Sequence, residues 1–260
     1  METIALSHQP EVRLQQLRAL DPKQRKALLK RVTVGVPIKP WPYGMPSSAA
    51  PYVILLGVSP GNGLLPEDRG METKGRAWPN EPTIGKVDGG FDYKDQRKYW
   101  TKASDLCAFL VKRDAPNMTE RDAVALSSHL NLGTGQYGVA SNAAIEAKIV
   151  KWVATQLYSR FEAKVVVCFG LWGLMRKPHH NELWKSSGGL PLDWQNPDAT
   201  SSFRNLSFRL WKTERADGQP VAVLMWPNHP SRPPFAGGPE RSSWQAAKRH
   251  ADKFLKKHRF

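Results

Sequence analysis

Three short runs of the chain are apolar at nearly every position: Tyr52-Val53-Ile54-Leu55-Leu56-Gly57, Val165-Val166-Val167-Cys168-Phe169-Gly170 and Val221-Ala222-Val223-Leu224-Met225-Trp226. A strand with one face in water alternates apolar and polar residues, so unbroken runs predict strands covered on both faces, as in a parallel sheet flanked by helices. A weaker fourth run spans Ala125 to Leu132. Between these runs the apolar period changes to that of a helix. Ile145, Ile149, Trp152, Val153 and Leu157 make one stripe across a helix predicted from Ala143 to Phe161, Tyr99 to Arg113 predicts a shorter one, and Pro239 to Lys257 a basic C-terminal one. Strands alternating with helices predict an α/β fold, a three-layer α/β/α sandwich around a central, mostly parallel four-stranded sheet.

Ahead of the first strand, residues 10 to 31 read as a basic amphipathic helix. Leu14, Leu17, Leu20, Leu28 and Leu29 are surrounded by Arg13, Arg18, Lys23, Arg25, Lys26, Lys30 and Arg31. Asp21-Pro22 splits it in two, since proline suits a first helical turn and not an interior. Such a segment either rests one stripe on the core or serves as a phosphate-contacting arm. The proline-rich stretch from Pro37 to Pro51 then marks a boundary. Residues 1–50 are a basic helical extension with its connection, and residues 51–260 are the main domain.

Composition narrows the chemistry. The 260 residues carry 38 Lys+Arg against 23 Asp+Glu, a formal net charge of +15, with 40% hydrophobic and 10% aromatic residues. That supplies one sizeable core, excludes a wholly disordered chain, and points to a polyanionic partner. The apolar runs fall far short of the ~20 residues of a membrane span. The N-terminus shows no charged segment followed by an apolar one, so a soluble, cytoplasmic protein is expected. Two cysteines, Cys107 and Cys168, exclude a disulfide framework and any four-thiolate metal site. His179-His180 reads as a surface loop, and neither metal nor cofactor is expected.

Ligands of such folds lie at the carboxyl ends of the strands, which directs attention to the loops that follow them. After the first strand comes Gly57-Val58-Ser59-Pro60-Gly61-Asn62-Gly63, a tight turn whose backbone N–H groups can approach a ligand. It lacks the Gly-Lys-Ser/Thr of a nucleotide-binding P-loop. After the last strand comes Trp226-Pro227-Asn228-His229-Pro230-Ser231-Arg232-Pro233-Pro234-Phe235. Its histidine is either structural or a donor to developing negative charge.

Taken together, strand-Gly-x-x-Pro-Gly early and strand-Asn-His-Pro-Ser late resemble the two signature motifs of the uracil-DNA glycosylase superfamily, which vary around G-Q-D-P-Y, G-x-N-P-G or G-E-A-P-G and around H-P-S. The similarity spans roughly residues 50 to 260. His129-Leu130-Asn131-Leu132 is similar to the family's second strand, Ala143 to Gly170 to its helix and third strand, and Glu67-Asp68-Arg69-Gly70 to the E-D-R-x-G of some branches. The resemblance implies a monomeric, metal-independent DNA glycosylase, acting in repair or antiviral defence. It would flip a uracil-like or modified base out of DNA and hydrolyse its N-glycosidic bond.

On the same resemblance, His229 stabilises the oxygen of the departing base and Ser59 positions water. Gly57, Pro60, Gly61 and Asn62 line the base pocket, Asn131 reads the base edge, and Phe91 or Tyr93 stacks on the base, with Trp100 a further candidate. Ser231 holds a phosphate, and Arg232 to Phe235 form the loop that presses into the duplex, where an apolar wedge fills the vacated space. Position 59 departs from the family, being Ser where many members carry Asp or Asn, and position 58 is Val where one branch carries Glu. Serine is a poor base, so Asp68, Glu81, Asp88 and Asp92 are the candidate carboxylates. The serine also favours an alternative, a non-catalytic nucleic-acid-binding module on the same fold. An α/β enzyme of free nucleotides is a third possibility. Because Lys and Arg concentrate in residues 13 to 31 and 241 to 259, the expected arrangement has terminal helices on the DNA backbone around a nearly neutral pocket.

Overall fold

The unbroken apolar runs do form the interior strands. A computed structural model describes residues 6–33, 50–57, 94–132, 147–230, 232–236, 239 and 241–260. Its sheet contains β1 (Val53–Gly57), β2 (Ser127–Asn131), β3 (Val165–Phe169), β4 (Ala199–Phe203), β5 (Leu206–Glu214) and β6 (Pro220–Trp226), in the spatial order β2-β1-β3-β6-β5-β4. The β1–β2, β1–β3 and β3–β6 pairs are parallel. The expected four-stranded sheet is thus corrected to six strands, because β4 and β5 add an antiparallel hairpin beside β6. Both alternate rather than run apolar. In β5, Phe208 and Leu210 are buried while Ser207 and Arg209 on the other face are half-exposed. Arg204 and Asn205, at φ of 47° and 63°, make the tight turn between them, the left-handed backbone that two-residue hairpin loops require.

The helices are α1 (Pro10–Ala19), α2 (Pro22–Thr33), α3 (Lys94–Lys112), α4 (Glu120–Ala125), α5 (Ala147–Ser159), α6 (Trp172–Met175), α7 (Pro178–Lys185) and α8 (Ser242–Lys257). The break at Asp21-Pro22 is where the sequence places it. The His179-His180 pair, expected in a loop, instead lies in α7, with Pro178 in the first turn and His180 Nδ1 2.9 Å from the Leu174 carbonyl oxygen.

Alternate strand residues feed two cores. Val53, Leu55, Val165, Val167, Leu224 and Trp226 pack with α3, α4 and α8, while Ile54, Leu56, Val166, Cys168, Val223 and Met225 pack with α5, α6 and α7. Helices therefore cover both faces of the sheet, which is why the central strands show no polar alternation.

The N-terminal helices are fastened to the amino ends of the strands. Leu14 of α1 joins the first core, and Arg13 is 1% exposed. Its Nε donates to the Ser7 carbonyl at 2.7 Å, and its Nη1 to the carbonyls of Pro51, just before β1, and Glu162, just before β3, at 3.3 and 2.9 Å. From α2, Arg31 pairs with Glu162 at 2.8 Å, and Arg18 of α1 pairs with Asp122 of α4.

Candidate functional site

Parallel pairing brings four strand ends to one edge of the sheet. In the register of β1 and β2, Gly57 lies opposite Asn131, and in that of β3 and β6, Phe169 lies opposite Trp226. The Gly57 carbonyl accepts a hydrogen bond from the Leu132 N–H at 3.1 Å, so the edge is tied together just where β1 and β2 end. His229 follows β6 from the same edge.

The chain around His229 is braced on every side. Beneath it, Trp226 packs against Trp244 of α8, Phe208 of β5 and Phe235, with ring centroids 5.0, 5.1 and 5.9 Å apart. Asn228 Oδ1 accepts from the His229 N–H at 2.9 Å, while its Nδ2 donates to the Pro233 carbonyl at 2.5 Å. The Arg232 N–H donates to the His229 carbonyl at 2.9 Å, that of Phe235 to the Arg232 carbonyl at 2.8 Å, and the Ser243 hydroxyl to the Pro234 carbonyl at 2.8 Å. From the other side comes Lys102 of α3, fully buried. Its Nζ donates to the Pro230 carbonyl at 2.5 Å and to that of Phe235, and it lies 5.6 Å from the Trp244 ring centre. A buried ammonium requires partners of this kind, and here they are the carbonyls of the candidate loop itself.

Burial, followed by the positive charges of Arg232 and Lys102, lowers the His229 pKa from its ordinary 6.5 to about 4. The imidazole is therefore neutral at pH 7, one ring nitrogen a donor and the other an acceptor. Neither cysteine offers a nucleophile. Both are buried free thiols, Cys107 pushed up to about 12 by burial and Cys168 raised by the same cause. Among the described residues no group of three His, Cys, Asp or Glu side chains is placed to hold a metal ion, and no helix is long and apolar enough to cross a membrane.

Of the residues that the sequence singles out, Gly57, Asn131 and His229 come to this one edge; for Asn131 the described part is its backbone. Trp100 falls within α3. Ser59, Pro60, Gly61, Asn62, Phe91, Tyr93, Ser231 and the carboxylates Asp68, Glu81, Asp88 and Asp92 lie outside the described residues. Arg232 is exposed beside His229, as are Pro233 and Pro234, but Phe235 is 0% exposed. It anchors the loop against Trp226 and Trp244, so the exposed apolar residues of the loop expected to press into the duplex are Pro233 and Pro234. The N-terminal helix α1 is bound at the opposite ends of the strands, through the carbonyls just before β1 and β3.

Two features escaped the sequence reading. Lys102 stands four residues before Leu106, on the buried stripe of α3, a position that signals a buried cation. The other is a cluster of Trp172, just beyond β3, with Arg176 and Arg209, whose guanidinium carbons lie 6.0 and 3.9 Å from the indole centre. No family model, curated protein or solved structure matches the chain.

Proposed function

We propose that this protein is a DNA glycosylase that takes a uracil-like or modified base out of DNA and hydrolyses its N-glycosidic bond, acting in the cytoplasm as a monomer. One observation carries the reading: a neutral histidine, rigidly braced, at the same sheet edge as Gly57 and Asn131. Breaking the glycosidic bond leaves electron density on an oxygen of the departing base and positive charge on the sugar. A preorganised N–H donor interacts weakly with the neutral base and strongly with the anion, so its effect falls on the transition state. Because His229 begins neutral, it serves as a hydrogen-bond donor and needs no proton transfer. Ser59 or one of the carboxylates Asp68, Glu81, Asp88 and Asp92 would then align the water that attacks the sugar.

The test is incubation with duplexes carrying uracil or modified pyrimidines, then alkali to cut at abasic sites. Scission is expected with the native chain. His229→Ala is expected to lower its rate by about 10²- to 10³-fold, the usual cost of one such donor, with DNA affinity nearly unchanged. Tight binding to all duplexes without scission of any would reject excision and favour the non-catalytic module to which Ser59 points.

A further inference from the structure

We infer that Trp172, Arg176 and Arg209 form a phosphate-holding site for a nucleic-acid strand at the carboxyl edge of the sheet. The inference shares with the proposed function only its nucleic-acid partner. One guanidinium over an indole is a self-sufficient cation–π contact, and Arg209, 3.9 Å from the Trp172 centre, makes it. A second guanidinium on the same ring adds like-charge repulsion, and the fold gains nothing evident from it. Burial and the charge of Arg176 both lower the pKa of Arg209, so the pair disfavours its own charge. Among the described residues no carboxylate pairs with either one. An anion shared between the two forks relieves the repulsion, and guanidinium geometry matches phosphate oxygens.

Placement favours a strand over a single phosphate. Trp172 follows the end of β3, and Arg209 lies opposite Met225 near the end of β6. Exposed Arg204, at the tip of the β4–β5 turn, and exposed Arg232, beyond β6, extend from the same edge, likewise without a carboxylate among the described residues. Adjacent strands lie about 4.8 Å apart, so a row from β3 to β4 spans roughly 15 Å, more than one phosphate occupies.

The experiment is fluorescence anisotropy of labelled single-stranded and duplex oligonucleotides across a salt series, with the native chain, Arg176→Gln, Arg209→Gln and, as control, Arg18→Gln at the opposite edge. Each of the first two is expected to weaken binding about three- to tenfold and to reduce the magnitude of the salt slope by about one, with Arg18→Gln unchanged. Because Arg209 packs on Trp172, its variant is checked by thermal unfolding. Arg176 is exposed, so its variant keeps the test valid if the other misfolds. An unchanged affinity and slope in Arg176→Gln overturns the site. Competition with a deoxynucleoside monophosphate and with inorganic phosphate separates the sources: either one binding as tightly as the oligonucleotide overturns the strand assignment. Excision absent while the slope still falls by one removes the proposed function alone. Excision present with the slope unchanged removes this inference alone.

Discussion

At the amino ends of the strands, Arg13, Arg18, Arg31 and Lys164 all meet oxygen: backbone carbonyls for Arg13, and Asp122, Glu162 and Asp114 for the others. At the carboxyl ends, Arg176, Arg204 and Arg209 meet aromatic rings, Arg209 also donating to the Ser207 carbonyl at 3.4 Å, and Arg232 meets solvent. The net charge of +15 counts both sets alike. The first set is spent within the fold, since a guanidinium already holding carbonyls or a carboxylate has little left for a ligand. Cations that hold no carboxylate and at most one long hydrogen bond are the ones that can neutralise a polyanion. Affinity for a polyanion therefore follows from which charges are unsatisfied, and a count of Lys and Arg does not reveal that.

The contrast can be broken at several points. The largest expected effect is on the carboxyl edge, where His229→Ala should slow excision by about 10²- to 10³-fold. A pH series sharpens the point. With a pKa of about 4, the native histidine stays neutral through the ordinary histidine range, so its contribution to rate should be flat from pH 8 to about 5. An acid limb centred near 6.5 would contradict this. Stability carries the same signature: between 6.5 and 4 the unfolded chain binds the proton more readily than the folded one. The penalty is thus absent above 6.5 and grows as pH falls toward 4.

Next comes Arg13→Met at the amino edge. It strips hydrogen bonds from buried carbonyls at a cost of about 3 kcal/mol, which should lower Tm by on the order of 10 °C. Below the transition its DNA affinity and salt slope should match the native chain; a lost slope would place DNA at both edges. Lys102→Met follows at about 2 kcal/mol. Its distinguishing readout is amide exchange, which should accelerate at Arg232 and Phe235 but not in β1 or β3, together with slower excision. The smallest effect belongs to Arg18→Gln. An exposed ion pair is worth under ~1 kcal/mol, so Tm should move by no more than about 2–4 °C and DNA binding not at all.

The central strands were legible because burial on both faces leaves a one-letter signature, as in Val165-Val166-Val167, and α3, α5 and α8 because their apolar stripes repeat at helical spacing. The β4–β5 hairpin was harder. Thr200, Ser201 and Ser202 resemble a polar loop until Leu206, Phe208 and Leu210 are seen to alternate, with Asn205 at the turn. The motif order did bring Gly57, Asn131 and His229 to one edge, since parallel strands end together. The Arg209–Trp172 contact was not legible, for it arises only from the register of β5 on β6, which no local pattern encodes. The burial of Phe235 was not legible either, because a proline-rich loop suggests an exposed tip, while Lys102 and the Trp226 cluster draw that ring inward.

The Arg13 bonds also bear on how the chain assembles as it is made. Arg13 and Glu162 are separated by 149 positions. At about 5–20 residues per second, roughly 7 to 30 s of synthesis pass between them. For that interval α1 has no completed seat, because its anchor oxygens sit at the feet of both β1 and β3. The full set of Arg13 and Arg31 bonds can thus close only after the residues that form the middle of the sheet have been made.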